Sequence, residues 1–245
     1  MVLEVEHLDV DYRGVVAIED VSFRIFPGQM IGVIGPNGAG KSTLVKAILG
    51  LIPSTGGIIK FRNSPVKKQL NSIAYVPQRT QVDWEYPITV LSVVMMARTA
   101  YTGWFRQPNR RSKEIVKSAL ERVGMWELRS RQIGELSGGQ QQRVFLARAL
   151  AQQADLFFFD EPFIGVDKYT EDIIFDIFNE LKRDGKILIL ITHDLGDTLT
   201  KCDHLLLLNK QIIADGSVKE VVTSENLQRA YGNNILFLNR EQKSA

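Results

Sequence analysis

The sequence holds one cysteine, Cys202, so no disulfide can form within the chain. That excludes a disulfide-stapled scaffold and suits a reducing compartment. Long apolar runs are missing as well. A membrane span needs about 18 apolar residues or more, and "KILILIT" and "HLLLLN" fall far short. The opening "MVLEVEHLDVDY" alternates like a strand and lacks the charged-then-apolar order of a secretory signal. The chain is therefore expected to be soluble by itself, with any membrane role arriving through a partner. There is little excess of either charge: 30 Lys and Arg against 28 Asp and Glu, a net of +2. Without a basic tail or long basic stripe, nucleic acid is not an expected partner. The short basic run "RNSPVKK" (Arg62–Lys68) reads as a solvated loop or hairpin edge, and "RQPNRRSKE" (Arg106–Glu114) as a surface loop before a helix. His7 and His204 have no partners at metal-ligand spacing, and Cys202, Asp203 and His204 crowd together without a second cluster, so no structural zinc site is expected.

What is present is enough for one large core, or one core with a smaller lobe: 245 residues, 44% of them hydrophobic. Leu3–Phe26 alternates apolar and polar residues around turn signals, as antiparallel strands do. "QMIGVIG" (Gln29–Gly35) is a short apolar strand that breaks into glycines, and "TLVKAILGLI" (Thr43–Ile52) reads as a helix with Leu44, Ile48, Leu51 and Ile52 on its apolar face. "NSIAYVPQ" (Asn71–Gln78) reads as another strand. From about Thr89 to Ala151 helix-period segments dominate. "DLFFFDE" (Asp155–Glu161) and "KILILITHD" (Lys186–Asp194) are continuously apolar strands, with the amphipathic "TEDIIFDIFNELKRDG" between them. Strands apolar on every face mark a parallel sheet covered on both sides. The hairpin "HLLLLNKQIIADG" and a helical stretch follow. The expected fold is α/β: a mostly parallel sheet core with an antiparallel β subdomain (1–88 and 152–235), an inserted helical subdomain (about 89–151) and a C-terminal tail (236–245).

The chemistry concentrates in three places. "GPNGAGKST" fits G-x-x-x-x-G-K-[ST] over Gly35–Ser42, between a strand and a helix. Gly35, Asn37, Gly38, Ala39 and Gly40 would turn their backbone N–H groups around the phosphates of ATP, with Pro36, which has no N–H, in the same ATP-binding loop, beside Lys41, Ser42 and Thr43 at the helix start. Lys41 reaches the phosphates and the Ser42 hydroxyl can ligate Mg²⁺. In "LFFFDE", Asp160 ends a buried strand where it can hold Mg²⁺, and Glu161 beside it can polarise a water as general base. His193 ends the next apolar strand, and the order of the three motifs points it at the γ-phosphate.

A second glycine-rich turn, "LSGGQ", also opens a helix. One nucleotide needs one cradle, and Gly35–Thr43 already supplies it. In a symmetric head-to-tail homodimer, Ser137, Gly138, Gly139 and Gln140 would close on the partner's γ-phosphate instead, with ATP as the glue.

Taken together, "GPNGAGKST", Gln78, "LSGGQ", "LFFFDE" and "THD" resemble the ATP-binding subunit of an ABC transporter, over nearly the whole chain and in the family's order. The resemblance implies a P-loop NTPase fold of the ABC ATPase kind, with ATP and Mg²⁺ as ligands. It makes Tyr12 the aromatic that stacks on adenine. Gln78 becomes the residue that senses Mg²⁺ and the γ-phosphate, and Asp167 of "IGVD" the acid of the loop crossing the dimer interface. That loop usually reads SALD, and "IGVD" departs at three of four positions, which puts its usual hydroxyl contact in question. Family likeness also places "VPQRTQVDWEYPITVLSVVMMAR" at the groove that grips a cytoplasmic helix of a membrane permease, with Trp84, Tyr86 and Pro87 as anchors. Val90 and Met95 suit either that groove or the lobe's own core. The pattern "VPQR…VDW.YPITV" with "EPFIGVD" resembles the subunits that energise manganese, zinc and iron importers, manganese first. That implies integral permease subunits, a metal-binding solute-binding protein, and a place on the cytoplasmic face of the membrane through the permease.

Two other classes share these motifs. Soluble ABC ATPases acting on DNA carry long coiled coils, and those acting on ribosomes usually carry two ATPase domains; neither feature is present here. A regulator that uses ATP binding to signal through a membrane complex differs only in its partner.

Overall fold

The computed structural model describes residues 2–12, 14–103, 106–193 and 196–232. The tail expected at 236–245 and Asp194 lie outside them. The chain forms two compact units, one built from the segments up to Leu70 and from Ile187 on, the other from Asn71–Lys186.

The first unit opens with β1 (Leu3–Tyr12) and β2 (Val15–Ile25), paired antiparallel. Strict alternation would bury residues 3, 5, 7 and 9. Instead Leu3, Val5, Leu8 and Val10 are buried, each at 1% exposure or less. A register shift between Val5 and Leu8 absorbs the extra residue, with His7 in the left-handed region at φ 49°. The His7 Nδ1 and Asp20 Oδ1 lie 2.7 Å apart, and that hydrogen bond, then the carboxylate's charge, raises the imidazole pKa. Next come β3 (Met30–Ile34), buried throughout, and α1 (Lys41–Ile48). The helix stops earlier than its apolar pattern. Gly50 at φ 68° takes the left-handed stop position, with Gly50 N donating to Ala47 O (3.0 Å) and Leu51 N to Lys46 O (2.8 Å). Leu51 is therefore 64% exposed and not part of the apolar face. β4 (Gly56–Phe61) pairs with the other side of β1, and β5 (Ser64–Pro65) returns on β4. Arg62 and Asn63 both have positive φ, the two-residue hairpin turn that suits strand twist. The basic run Arg62–Lys68 thus begins in that hairpin.

The second unit begins with β6 (Ile73–Val76), then α2 (Val90–Met95), α3 (Thr99–Thr102) and α4 (Arg110–Arg122). The Asn109 side chain caps α4 by accepting from Ser112 N at 2.8 Å, so the basic run Arg106–Glu114 runs from loop into helix. α5 (Gly138–Ala151) is buried on nearly every side, as an apolar helix must be. Its end is held by Arg98, 5% exposed, whose Nη1 donates to Ala151 O at 3.1 Å and whose guanidinium lies 4.0 Å over the Tyr101 ring. β7 (Leu156–Asp160) pairs in parallel with β6, and α6 (Lys168–Arg183) follows. β7, the segment after it and the apolar stripe of α6 meet in phenylalanines: Phe159 of β7 and Phe178 at 4.4 Å between centroids, and Phe163 of the following segment and Phe175 at 4.5 Å.

Back in the first unit, β8 (Ile187–Ile191) pairs in parallel with β3, and α7 (Asp197–Thr200) follows. β9 (His204–Asn209) lies parallel on the other side of β3, and β10 (Gln211–Gly216) turns back on β9. α8 (Val218–Val221) and α9 (Ser224–Tyr231) complete the described chain.

The phenylalanine cluster sets an expectation for stability. Phe178 is fully buried, so Phe178→Ala should destabilise the fold by about 3–5 kcal/mol. Asp167→Ala, which removes only the α6 cap, should cost about 1 kcal/mol. Urea unfolding followed by circular dichroism would read both. A Phe178 effect no larger than that of Asp167 would mean the cluster does not carry the core.

Candidate functional site

The phosphate-loop sequence folds where β3 ends. A Cβ on Gly35 would sit 2.0 Å from Leu208 O, and one on Gly40 would sit 2.6 Å from Ala17 O, so the loop is pressed between β9 and β2. Gly35 and Gly40 also take φ 154° and 94°, which side chains resist. Two backbone bonds lock the curve: Ala39 N donates to Pro36 O (3.1 Å), and Lys210 N donates to Ala39 O (2.8 Å). Lys41 is 8% exposed, and its Nζ donates to Gly35 O at 2.6 Å and Pro36 O at 3.0 Å. The ammonium therefore lies on the loop's own carbonyls.

The start of α1 differs from those of α2, α4, α5, α6 and α9. Thr89, Asn109, Asp167 and Thr223 side chains each cap a helix, and Ser137 does so in a capping box. α1 starts on Gly40, with no side-chain cap and no acid in its first turn. Such a helix start, positive and without a cap of its own, suits a ligand with negative oxygen atoms. A phosphate group fits this arrangement.

The second unit brings several predicted residues together. Asp160, at the end of β7, is 3% exposed, and the Tyr75 hydroxyl donates to its Oδ2 at 3.4 Å. Burial first, and the Asp160 charge second, push the Tyr75 pKa above its ordinary value. Glu161 takes φ 51°, a left-handed conformation uncommon for a non-glycine residue and costly to hold. It lines a cavity of 270 Å³ together with Gln78, Arg79, Trp84, Ile164 and Gly165. Gln78 and Glu161, far apart in sequence, thus face one space.

The turn at Ser137 is closed by its own side chains. Ser137 Oγ accepts from Gln140 N at 3.3 Å, and Gln140 Oε1 accepts from Ser137 N at 2.9 Å. Both glycines are enforced by neighbours. A Cβ on Gly138 would lie 2.6 Å from Arg79 Nη1, and one on Gly139 would lie 2.7 Å from Thr170 Oγ1 and 3.0 Å from Asp167 Oδ2. Asp167 caps α6, accepting from Thr170 N at 2.8 Å. That amide, then the Thr170 hydroxyl, holds its carboxyl below the usual carboxylate range against the opposing effect of desolvation.

The remaining predicted residues lie elsewhere. Tyr12 ends β1, 46% exposed, beside Val15 and Val16 at 65% and 42%. His193 is exposed just past β8, following Thr192, whose amide donates to Val33 O at 3.1 Å. Trp84 is half-buried: its indole N–H donates to Arg79 O at 2.9 Å, and its ring meets Phe145 edge-on at 5.2 Å. That makes it part of the lobe's packing, whereas Tyr86 is 61% exposed and Pro87 is exposed. Val90 is core, at 0% exposure, and Met95 is half-buried. Sequence reading missed Arg79 and Gln141. Their only signal was adjacency, Arg79 to Gln78 and Gln141 to the glycine turn.

Known proteins match this chain along its length. Residues 18–164 match the family model described as ABC transporter. The manganese transport system ATP-binding protein MntB of Halalkalibacterium halodurans is 48% identical over 242 residues, covering 99% of this chain and 96% of that protein. The zinc transport system ATP-binding protein TroB of Treponema pallidum is 48% identical over 233 residues, covering 95% of this chain and 88% of that protein. A solved structure of an ATP binding subunit of an ABC transporter superposes with a TM-score of 0.80 at 26% identity, covering 100% of both chains. With a phosphate-loop cradle and a glycine turn capping a lobe helix, and with such relatives matching it almost end to end, this chain belongs to the ABC transporter family as an ATP-binding subunit with the ABC ATPase fold.

Proposed function

We propose that this chain hydrolyses ATP to energise import of a divalent metal ion through a membrane permease, with manganese as the cargo. The observation that carries the reading is the start of α1: a glycine curve locked by Ala39 and Lys210, holding the Lys41 ammonium, at a helix end without a cap of its own. Relatives named for metal transport, aligned over 95% or more of this chain, support the metal as cargo.

In this reading Gly35–Thr43 and Lys41 hold the β- and γ-phosphates, and Tyr12 stacks on the adenine. Glu161 accepts a proton from the attacking water as the bond between the γ-phosphorus and the bridging oxygen breaks, releasing ADP and phosphate. His193 holds the γ-phosphate. Mg²⁺, bound with the nucleotide, would neutralise phosphate charge and keep the leaving and attacking oxygens in line. Ser42, Gln78 and Asp160 are the hard oxygen donors proposed to hold it. Ser137, Gly138, Gly139 and Gln140 serve the nucleotide of a second copy, with Asp167 at that interface. Among the described residues no helix is long and apolar enough to cross a membrane. Attachment to the cytoplasmic face is therefore proposed to run through the permease, with Tyr86 and Pro87 as exposed anchors and Trp84 as their support. A solute-binding protein would deliver the ion on the other side.

A second reading, zinc as cargo, is favoured by one observation: the manganese and zinc relatives share the same 48% identity with this chain.

Three measurements follow from the assignment. Lys41→Ala should weaken ATP binding by about tenfold or more, the loss of a charged hydrogen bond, and equal affinity by titration calorimetry would count against the cradle. Glu161→Gln should keep ATP affinity, lower turnover by about 10²–10⁴, and leave an ATP-bound dimer on gel filtration. A monomer that turns over at the wild-type rate would remove Glu161 from the mechanism. In metal-limited cells relying on the Glu161→Gln form, elemental mass spectrometry should show manganese falling selectively. A selective fall in zinc would establish the second reading, and no change in any metal would overturn the import assignment.

A further inference from the structure

Arg79 is an exposed residue with an unusual set of attachments, all within the second unit. Its Nε donates to Gln141 Oε1 at 2.9 Å. Gln141 is 3% exposed and is itself fixed, because its Nε2 donates to Ile133 O at 3.1 Å. The Arg79 carbonyl accepts from the Trp84 indole, whose ring stands against Phe145. Gln141 and Phe145 lie one turn apart on α5. Residue 79 is therefore tied to that helix twice, by its side chain and through its carbonyl. The guanidinium also fills the space beside Gly138: a Cβ there would meet Nη1 at 2.6 Å and Cζ at 3.0 Å, with Gly165 O at 3.3 Å. From the other side, a Cβ on Gly165 would lie 3.9 Å from the same Nη1.

Three segments converge on this one side chain. The first holds Gln78, the second is the glycine turn at Ser137, and the third is the loop that follows Glu161. Arg79, Gln78, Glu161, Ile164 and Gly165 also line the same 270 Å³ cavity. Among the described residues no carboxylate pairs with Arg79, so its planar fork is engaged by a neutral amide and by shape, not by a counter-charge. Such a link transmits position and adds little long-range electrostatic stabilisation.

We propose that Arg79 is a positioning residue that holds the Gln78 segment, the first turn of α5 and the loop after Glu161 in one arrangement. A change at Gln78 on nucleotide arrival then sets the Ser137 turn for the second copy's nucleotide. The inference rests on the roles proposed above for Glu161 and for the Ser137 turn.

The test is steady-state ATP hydrolysis by the full chain with MgATP, comparing Arg79→Met, Gln141→Met, the double variant and Glu161→Gln. Arg79→Met keeps the aliphatic stem and removes only the fork. Its kcat, normalised to folded protein by circular dichroism, should fall by about tenfold, the rate equivalent of one hydrogen bond from a charged group. KM for ATP should stay within about twofold, because the residue acts on the arrangement and not on the bound nucleotide. Gln141→Met should give the same split from the other side of the bond. The double variant should be no worse than either single one, since both cut one link. Unchanged kcat in Arg79→Met, a raised KM at unchanged kcat, or losses that multiply in the double variant would each overturn the proposal. Glu161→Gln separates the two levels. If it hydrolyses ATP normally, the site reading fails; if it is inactive while Arg79→Met is unaffected, only the role of Arg79 fails.

Discussion

The carbonyl of Leu208 lies where a side chain on residue 35 would have to be. That close approach is the constraint on which the phosphate loop depends. Because β9 runs so near, the chain leaving β3 must curve away through glycine, and Ala39 N closes the curve on Pro36 O. The turn between β9 and β10 then completes the clamp through the Lys210 amide on Ala39 O. Lys210 itself takes φ 62°, so the turn that holds the loop is under its own conformational constraint. The Glu19 amide reaches the Lys210 carbonyl at 3.0 Å, which binds β2 into the same arrangement. The loop is thus set by three strands at once, and a preorganised cradle of this kind spends none of its binding energy on ordering itself.

The two glycine turns are physically different objects. At Gly40 the helix end is open, and the nearest cation is the chain's own Lys41. At Ser137 the helix end is closed by a reciprocal capping box. An N-cap of this kind is worth about 1 kcal/mol. A phosphate that displaced it would gain charge-assisted bonds roughly twice as strong as neutral ones. In the proposed dimer the second turn would stay satisfied in a single copy and exchange its partners when a nucleotide from another copy arrives. An open end there would expose orphan amides during every cycle.

Much of this was legible in the sequence, and the reasons are local. "GPNGAGKST" announces itself because only glycine tolerates the close approaches and left-handed turns, and only a buried cation suits the loop's carbonyls. β7 and β8 were legible because strands buried on both faces are apolar along their length, with Asp160 at the end of β7 the one exception. The helix after the loop was misjudged at its end, since an apolar pattern continues through Leu51 while Gly50 had already stopped the helix. The bulge at His7 was invisible because alternation alone cannot reveal an added residue until register is known. Family likeness made Trp84 an anchor for the permease helix. Its indole N–H instead finds a carbonyl five residues back, which no composition argument predicts.

The loop "IGVD" departs from the usual SALD at three of four positions and keeps its acid. Asp167 stays because it caps α6 and because its carboxylate stands against Gly139, where any side chain would collide. Capping needs a short side chain with an acceptor oxygen at that position and places no demand on the three residues before it. Gly165 takes φ 69°, a conformation that favours glycine, although a Cβ there would meet only Arg79 Nη1, at an ordinary 3.9 Å. Ile164 is 47% exposed. A hydroxyl there would reach toward polar groups on another chain, whereas an exposed branched apolar side chain gains only by being covered. In the proposed dimer the loop would therefore keep the acid that caps α6 and present an apolar side chain where the family's loop presents a hydroxyl. An apolar contact strengthens with buried area and is insensitive to salt, so the two copies would be held less by hydrogen bonds at this loop and more by the nucleotides between them.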